Sequence, residues 1–138
     1  MYYITLTMKN NFFILLEYLY YLSLVTLFIM YFFPGSLIGY FLYGNSGSQP
    51  NIINNPIGTS INHLFFFIYI SLLGLFARSR SKRLINSFQF LFFVSIFLEF
   101  FHFFIPNRAF EYYDLFANST GVVLVYSLSK FFKKIINR

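Results

Sequence analysis

The chain has 138 residues, 58% of them hydrophobic and 10% charged, with a mean hydropathy of +0.65 and a net charge of +6. A soluble domain carries about 25% charged residues, so this composition excludes one and predicts a single integral membrane domain, all-α because lipid offers no partners to unpaired backbone groups. Nucleic-acid binding is excluded with it: the cations sit in short runs flanking apolar sequence, where contact with anionic lipid accounts for them.

In chain order, the first ten residues show no cleavable-signal pattern, and Met8 is an alternative start to Met1. Residues 12–33 form the first apolar stretch, close to the ~20 residues that cross ~30 Å of hydrocarbon. The uncharged segment 34–59 is rich in Gly, Asn, Ser and Pro and reads as turn chemistry. Within it Leu37–Tyr43 is apolar enough to form a re-entrant or surface-lying piece, and a plain loop with partly buried aromatics fits equally well. The second stretch, 61–77, is the shortest and borrows Ser60 and Arg78 at its ends. The basic cluster Arg78, Arg80, Lys82 and Arg83 precedes the third, 84–104, which ends at Ile105 because the residue before Pro106 is pushed out of helical geometry. A short turn, Pro106–Ala109, leads into the fourth stretch, 109–132, making the last two an antiparallel hairpin. The expected fold is a compact bundle of four transmembrane helices.

Nine of the ten cations fall on one side of that topology: Lys9, the 78–83 cluster, Lys130, Lys133, Lys134 and Arg138. The positive-inside bias then puts both termini in the cytoplasm and leaves Arg108 outside. The chain has no Trp, so Tyr2, Tyr3, Tyr31, Tyr40, Tyr43, Tyr112 and Tyr113, all near span ends, are assigned to the interfacial belt. The absence of Cys excludes disulfides, thiolate ligands and a cysteine nucleophile.

A carboxylate at membrane depth costs roughly 2.5–3.5 kcal/mol even on lenient insertion scales, so carboxylates retained there call for a use. Glu99-x-x-His102 places two polar groups on one face of the third helix, with Glu99 ~8 Å below its outer end. Asp114-x-x-x-Asn118-x-x-Gly121 makes a matching stripe on the fourth. His63, near the start of the second helix, falls at the same depth. Arg108 in the turn is the natural charge partner of Asp114 or Glu111, or of an anionic headgroup. Glu17 lies toward the inner side of the first helix and stands alone.

These residues, namely His63, Glu99-x-x-His102, Pro106-x-Arg108 and Asp114-x-x-x-Asn118-x-x-Gly121, resemble the VanZ-like membrane proteins over about residues 60–128. The resemblance implies a small four-helix protein of the bacterial inner membrane, in a family named for a member linked to teicoplanin resistance and without an established biochemical activity. This chain departs from the family pattern in carrying His102 where Gln is usual and Asn62 where a charged or other polar residue is common.

The candidate catalytic groups are Glu99, His63 and Asp114, as proton carriers and as a carboxylate orienting His63 or Arg108. Arg108, His102 and Asn118 are the candidate ligand-binding groups, and Pro106 and Gly121 the structural ones. No cofactor is expected. No metal is expected either, because zincin-type spacing is absent and the Gln usual at position 102 in the family is a poor ligand. The reading is an outward-facing pocket for a membrane lipid or lipid-linked envelope precursor. Its alternative is a non-catalytic assembly module in which the same groups are interhelical contacts. A proton-coupled transporter is disfavoured because the inner halves of the helices offer no polar path.

Overall fold

A computed structural model describes residues 2–48 and 58–137, without the side chains of residues 2–9 and Thr59. Residues 49–57 of the uncharged segment and Arg138 of the basic tail lie outside it, as do the side chains of Tyr2, Tyr3 and Lys9. The described residues form helices and turns with no strand: α1 (Tyr2–Phe32), α2 (Leu37–Tyr43), α3 (Gly58–Arg80), α4 (Phe88–Phe101) and α5 (Tyr112–Ile136). Three segments, Asn10–Phe32, Ser60–Arg80 and Tyr112–Ile136, are long and apolar enough to cross a membrane, and Phe88–Phe104 is a shorter apolar helix. An all-helical chain with three such segments is compatible with a multi-pass membrane protein.

Helix α1 stops at Phe32, just before Pro34 and the left-handed Gly35 (φ 82°). The apolar segment that follows is a short helix. Ser36 caps the start of α2 by accepting from the Gly39 N–H at 2.9 Å, and the Gly44 N–H, at φ 66°, closes its end onto the Tyr40 carbonyl. Gly39 lies against the Ser48 carbonyl, where an added Cβ would stand 1.6 Å from the oxygen, so α2 is folded tightly onto residues 44–48. Its outer face, from Tyr40 to Tyr43, is exposed.

The second apolar stretch, the shortest in sequence, forms a 23-residue helix, because Gly58–Ser60 and Arg78–Arg80 extend it at both ends. Arg78 and Arg80 sit in its last turn, where cations suit the helix dipole. The third stretch is shorter than its apolar run. Leu84–Asn86 is a separate 3₁₀ turn, held by the Asn86 amide on the Ser81 carbonyl, and Ser87 starts α4 by accepting from the Phe90 N–H at 3.1 Å. Asn86, Ser87 and Gln89 interrupt the apolar run at this break, but the long apolar flanks mask them in a span-length average. At its far end α4 tightens into a 3₁₀ turn, His102–Phe104, and Ile105 is extended ahead of Pro106. The connection to α5 runs over residues 105–111 rather than 106–109, because Glu111 is still extended, at the N-cap position, and Tyr112 begins the helix.

Helix α3 is central, packing most extensively on α5 and next on α1, while α4 packs mainly on α5. Phe67, Ile70 and Ala77 of α3 are fully buried, along with Tyr20, Leu91 and Leu98 from its neighbours. Gly121 lets α5 approach α3 closely, since a Cβ there would lie 2.8 Å from Phe67 Cβ and 2.9 Å from the Leu64 carbonyl. That seam sets the distance between the polar stripes of α3 and α5.

Candidate functional site

Glu99 has no solvent exposure. Its Oε1 accepts the Glu111 N–H at 3.1 Å and faces His102 Nδ1 at 3.2 Å, while Oε2 faces the Asn118 amide at a long 3.5 Å. The 3₁₀ turn at the end of α4 carries His102 over the carboxylate, and its ring stacks on Tyr31 with centroids 5.1 Å apart. His102 Nε2 is buried and makes no hydrogen bond among the described residues.

On α5, Asp114, Asn118 and Gly121 share one buried stripe, as a spacing of four and then three residues dictates. Asn118 is fully buried, with Oδ1 accepting the Tyr31 hydroxyl at 3.0 Å and lying 3.2 Å from His63 Nδ1, and Nδ2 reaching toward Ser95 O and Glu99. From the start of α3, Ser60 donates to Asp114 Oδ1 at 2.5 Å, and His63 Nε2 stands 3.5 Å from Asp114 Oδ2. Glu99, His63 and Asp114 thus meet from three helices, each offering a ligand-type atom within 4.8 Å of the others. Because each comes from a different helix, their sequence spacing carries no ligand signature.

Helix α1 contributes what sequence reasoning missed. Tyr31 is not in an interfacial belt: it is 7% exposed, and its hydroxyl lies 2.7 Å from His63 Nδ1 while bonding Asn118. A Tyr at the end of an apolar helix looks the same in sequence whether it meets water or a neighbouring helix. Ser60 was also legible only as a helix-end residue. Its period with His63 is the one signal that could have placed it over α5.

Arg108 makes no ion pair with Asp114 or Glu111 among the described residues. It donates through Nη2 to the Met30 carbonyl at 2.7 Å and through Nε to the Phe33 carbonyl at 3.3 Å. Helix α1, cut off by Pro34, leaves those carbonyls without helical donors, and the guanidinium supplies them. Burial lowers the pKa of Arg108 below its ordinary value, with Tyr31, Glu99 and Asp114 opposing the shift. Pro106 is exposed in the loop, and Gly121 lies at the α3–α5 seam, so neither touches the cluster's polar atoms. Glu17 is not alone: Arg80 Nε lies 3.0 Å from it and the Tyr21 hydroxyl donates to it.

Beside the cluster lies a cavity of about 440 Å³ between α1, α2 and α3. Tyr31, Ser36, Asn62, His63 and Arg108 give it a polar side, and Leu27, Leu37, Ile38, Phe65 and Phe66 an apolar one. His63 and Tyr31 belong to both cavity wall and buried cluster. Comparison with protein-family models, curated proteins and solved structures gave no match.

Proposed function

We propose that this is a VanZ-like protein of the bacterial inner membrane that binds a lipid or lipid-linked envelope precursor in the cavity between α1, α2 and α3. The observation that carries the reading is the cavity's two-sided lining: Arg108, His63 and Ser36 suit a polar, anionic head, and Leu27, Leu37, Phe65 and Phe66 suit an acyl or isoprenoid tail. Glu99, His63 and Asp114 are its proton-handling groups, and Tyr31 and Asn118 orient the imidazole.

In this reading the bundle has four spans. Phe88–Phe104 rises roughly 27 Å as α-helix and 3₁₀ turn together, close to the thickness of a thin bilayer. The basic residues 78–83 and 130–134 face the cytoplasm with both termini, so the cavity and the 105–111 loop open toward the outer leaflet.

Lipid extraction and native mass spectrometry of gently purified protein test the reading. The wild type retains about one amphiphile per chain, and Leu37→Trp, which fills the cavity from α2, loses it without losing the fold. Equal lipid retention by both proteins would remove the cavity as the binding site. The second reading, an assembly module, draws on the same Tyr31–Asn118–His63 bonds, which tie α1, α3 and α5 together. It predicts that Glu99→Gln, His63→Ala and Asp114→Asn lower abundance in step with any phenotype, whereas the pocket reading predicts unchanged abundance and lost binding.

A further inference from the structure

We propose that His63 Nε2, Glu99 and Asp114 Oδ2 bind a first-row divalent cation of the Zn²⁺ or Mn²⁺ class. His63 presents two faces to the cluster. Its Nδ1 lies 3.2 Å from Asn118 Oδ1, an acceptor, and the orientation of that amide is consistent with its Nδ2 reaching toward two further acceptors, Ser95 O and Glu99 Oε2. The Tyr31 hydroxyl, 2.7 Å from Nδ1, donates its proton to Asn118 Oδ1, so both oxygens facing Nδ1 are acceptors; an Nδ1–H between them leaves the lone pair of the neutral imidazole on Nε2. That lone pair faces Asp114 Oδ2 at 3.5 Å, and two electron-rich atoms so placed need a cation between or beside them, either a proton or a metal.

Distance and charge both favour the metal. At 3.5 Å the His63–Asp114 separation is beyond a good hydrogen bond, yet it is near the roughly 3.3–3.4 Å between two ligand atoms on one tetrahedral zinc. Among the described residues neither Glu99 nor Asp114 pairs with a Lys or Arg, and buried carboxylates are ordinarily paired or bound to metal. A divalent ion balances the two charges.

The surrounding groups are those a metal site uses to fix its ligands: Ser60 on Asp114, His102 and the Glu111 N–H on Glu99, and Tyr31 with Asn118 on His63 Nδ1. One imidazole and two carboxylates suit Zn²⁺, Mn²⁺ or Fe²⁺ better than Mg²⁺ or Ca²⁺, which prefer all-oxygen shells. Three protein ligands are one fewer than a closed structural zinc site has, leaving room for water or another ligand atom. His63, on the cavity wall with its side chain 10% exposed, gives the ion a route in. The site does not depend on the lipid reading, since its test measures metal alone, and a bound ion takes the place of the proton that these groups handle in that reading.

The full chain, purified in detergent through a tag without histidine and stripped with chelator, is titrated with Zn²⁺ and Co²⁺. The expected result is one equivalent bound per chain, a higher Tm with Zn²⁺ and a visible low-symmetry Co²⁺ band. Asp114→Asn and His63→Gln abolish all three, and Ser60→Ala, which keeps every ligand, weakens binding about 10- to 100-fold. If the ligand variants fail to fold, the wild-type Co²⁺ band and the Ser60→Ala shift decide. Absence of a Co²⁺ band and of any Tm response in folded wild type would overturn the site and leave a proton between His63 and Asp114. Undiminished binding in the folded ligand variants would overturn it equally.

Discussion

At the end of the bundle that carries residues 105–111, Asn118 by itself reaches side chains or carbonyls of α1, α3 and α4; at the end that carries residues 81–87 the described residues meet across helices through apolar side chains, one Arg80–Glu17 ion pair and the Tyr20 hydroxyl on the Ile85 carbonyl. The first end is held by directional bonds between groups that are costly to bury, and the second by shape. Lipid-facing helices gain little from hydrophobic association, so shape suffices to hold such a bundle, and the polar end carries more than holding requires. A cavity opens at the polar end, and His63 faces both.

The two glycines at helix contacts give the sharpest way to break this comparison. At Gly121 a Cβ would meet backbone, the Leu64 carbonyl at 2.9 Å and the Ile68 nitrogen at 3.1 Å, so Gly121→Ala must push α5 off α3. We expect a cost of about 1–3 kcal/mol in a denaturation titration in micelles, with loss of any ligand. At Gly74 the same Cβ would meet side-chain tips, Leu91 at 3.1 Å and Tyr20 at 3.2 Å, which need give by only a few tenths of an ångström. Gly74→Ala should cost less than half as much; equal costs would show that the two ends are packed alike.

Asn118→Leu comes next. It keeps the branched outline with two bulkier methyls and removes the acceptor of Tyr31 and the donor to Glu99, leaving buried groups unpaired. The expected loss is on the order of 1–2 kcal/mol, since interhelical bonds in membranes are individually weak but unpaired groups are not. At the other end, Arg80→Gln breaks an ion pair whose arginine side chain is 37% exposed, and should change stability by under about 1 kcal/mol. An Arg80 effect as large as that of Asn118 would move the polar lock to the wrong end.

The same contrast explains what could be read from sequence. Apolar runs and the polar stripes on α4 and α5 were legible because helical periodicity places Glu99 with His102 and Asp114 with Asn118 within one element. Contacts between elements were not. Tyr31, Arg108 and Glu17 each suit several environments, and only packing decides that Tyr31 meets His63, that Arg108 caps α1 and that Glu17 meets Arg80. The break at Ser87 was missed for another reason: Asn86, Ser87 and Gln89 mark it, but the apolar residues on either side outweigh three polar ones over the length of a span.

The smallest effect concerns Glu111, which lies in the loop outside the spans, with its backbone N–H on Glu99. Burial, and then the charges of Asp114 and Glu99, raise its pKa above the ordinary carboxylate value, with His102 opposing the shift. A carboxyl with a raised folded-state pKa holds its proton more tightly when folded. Its stabilising contribution is complete below the unfolded value and is lost as pH rises through the raised one. Glu111→Gln keeps the backbone bond and removes the titration, so its Tm should exceed that of the wild type slightly at neutral pH. The difference should shrink toward zero as pH falls through the mildly acidic range. A Tm difference independent of pH would show that Glu111 is not coupled to the buried carboxylates. That result would also confine the charged cluster to Glu99 and Asp114, with the loop serving only to present its N–H.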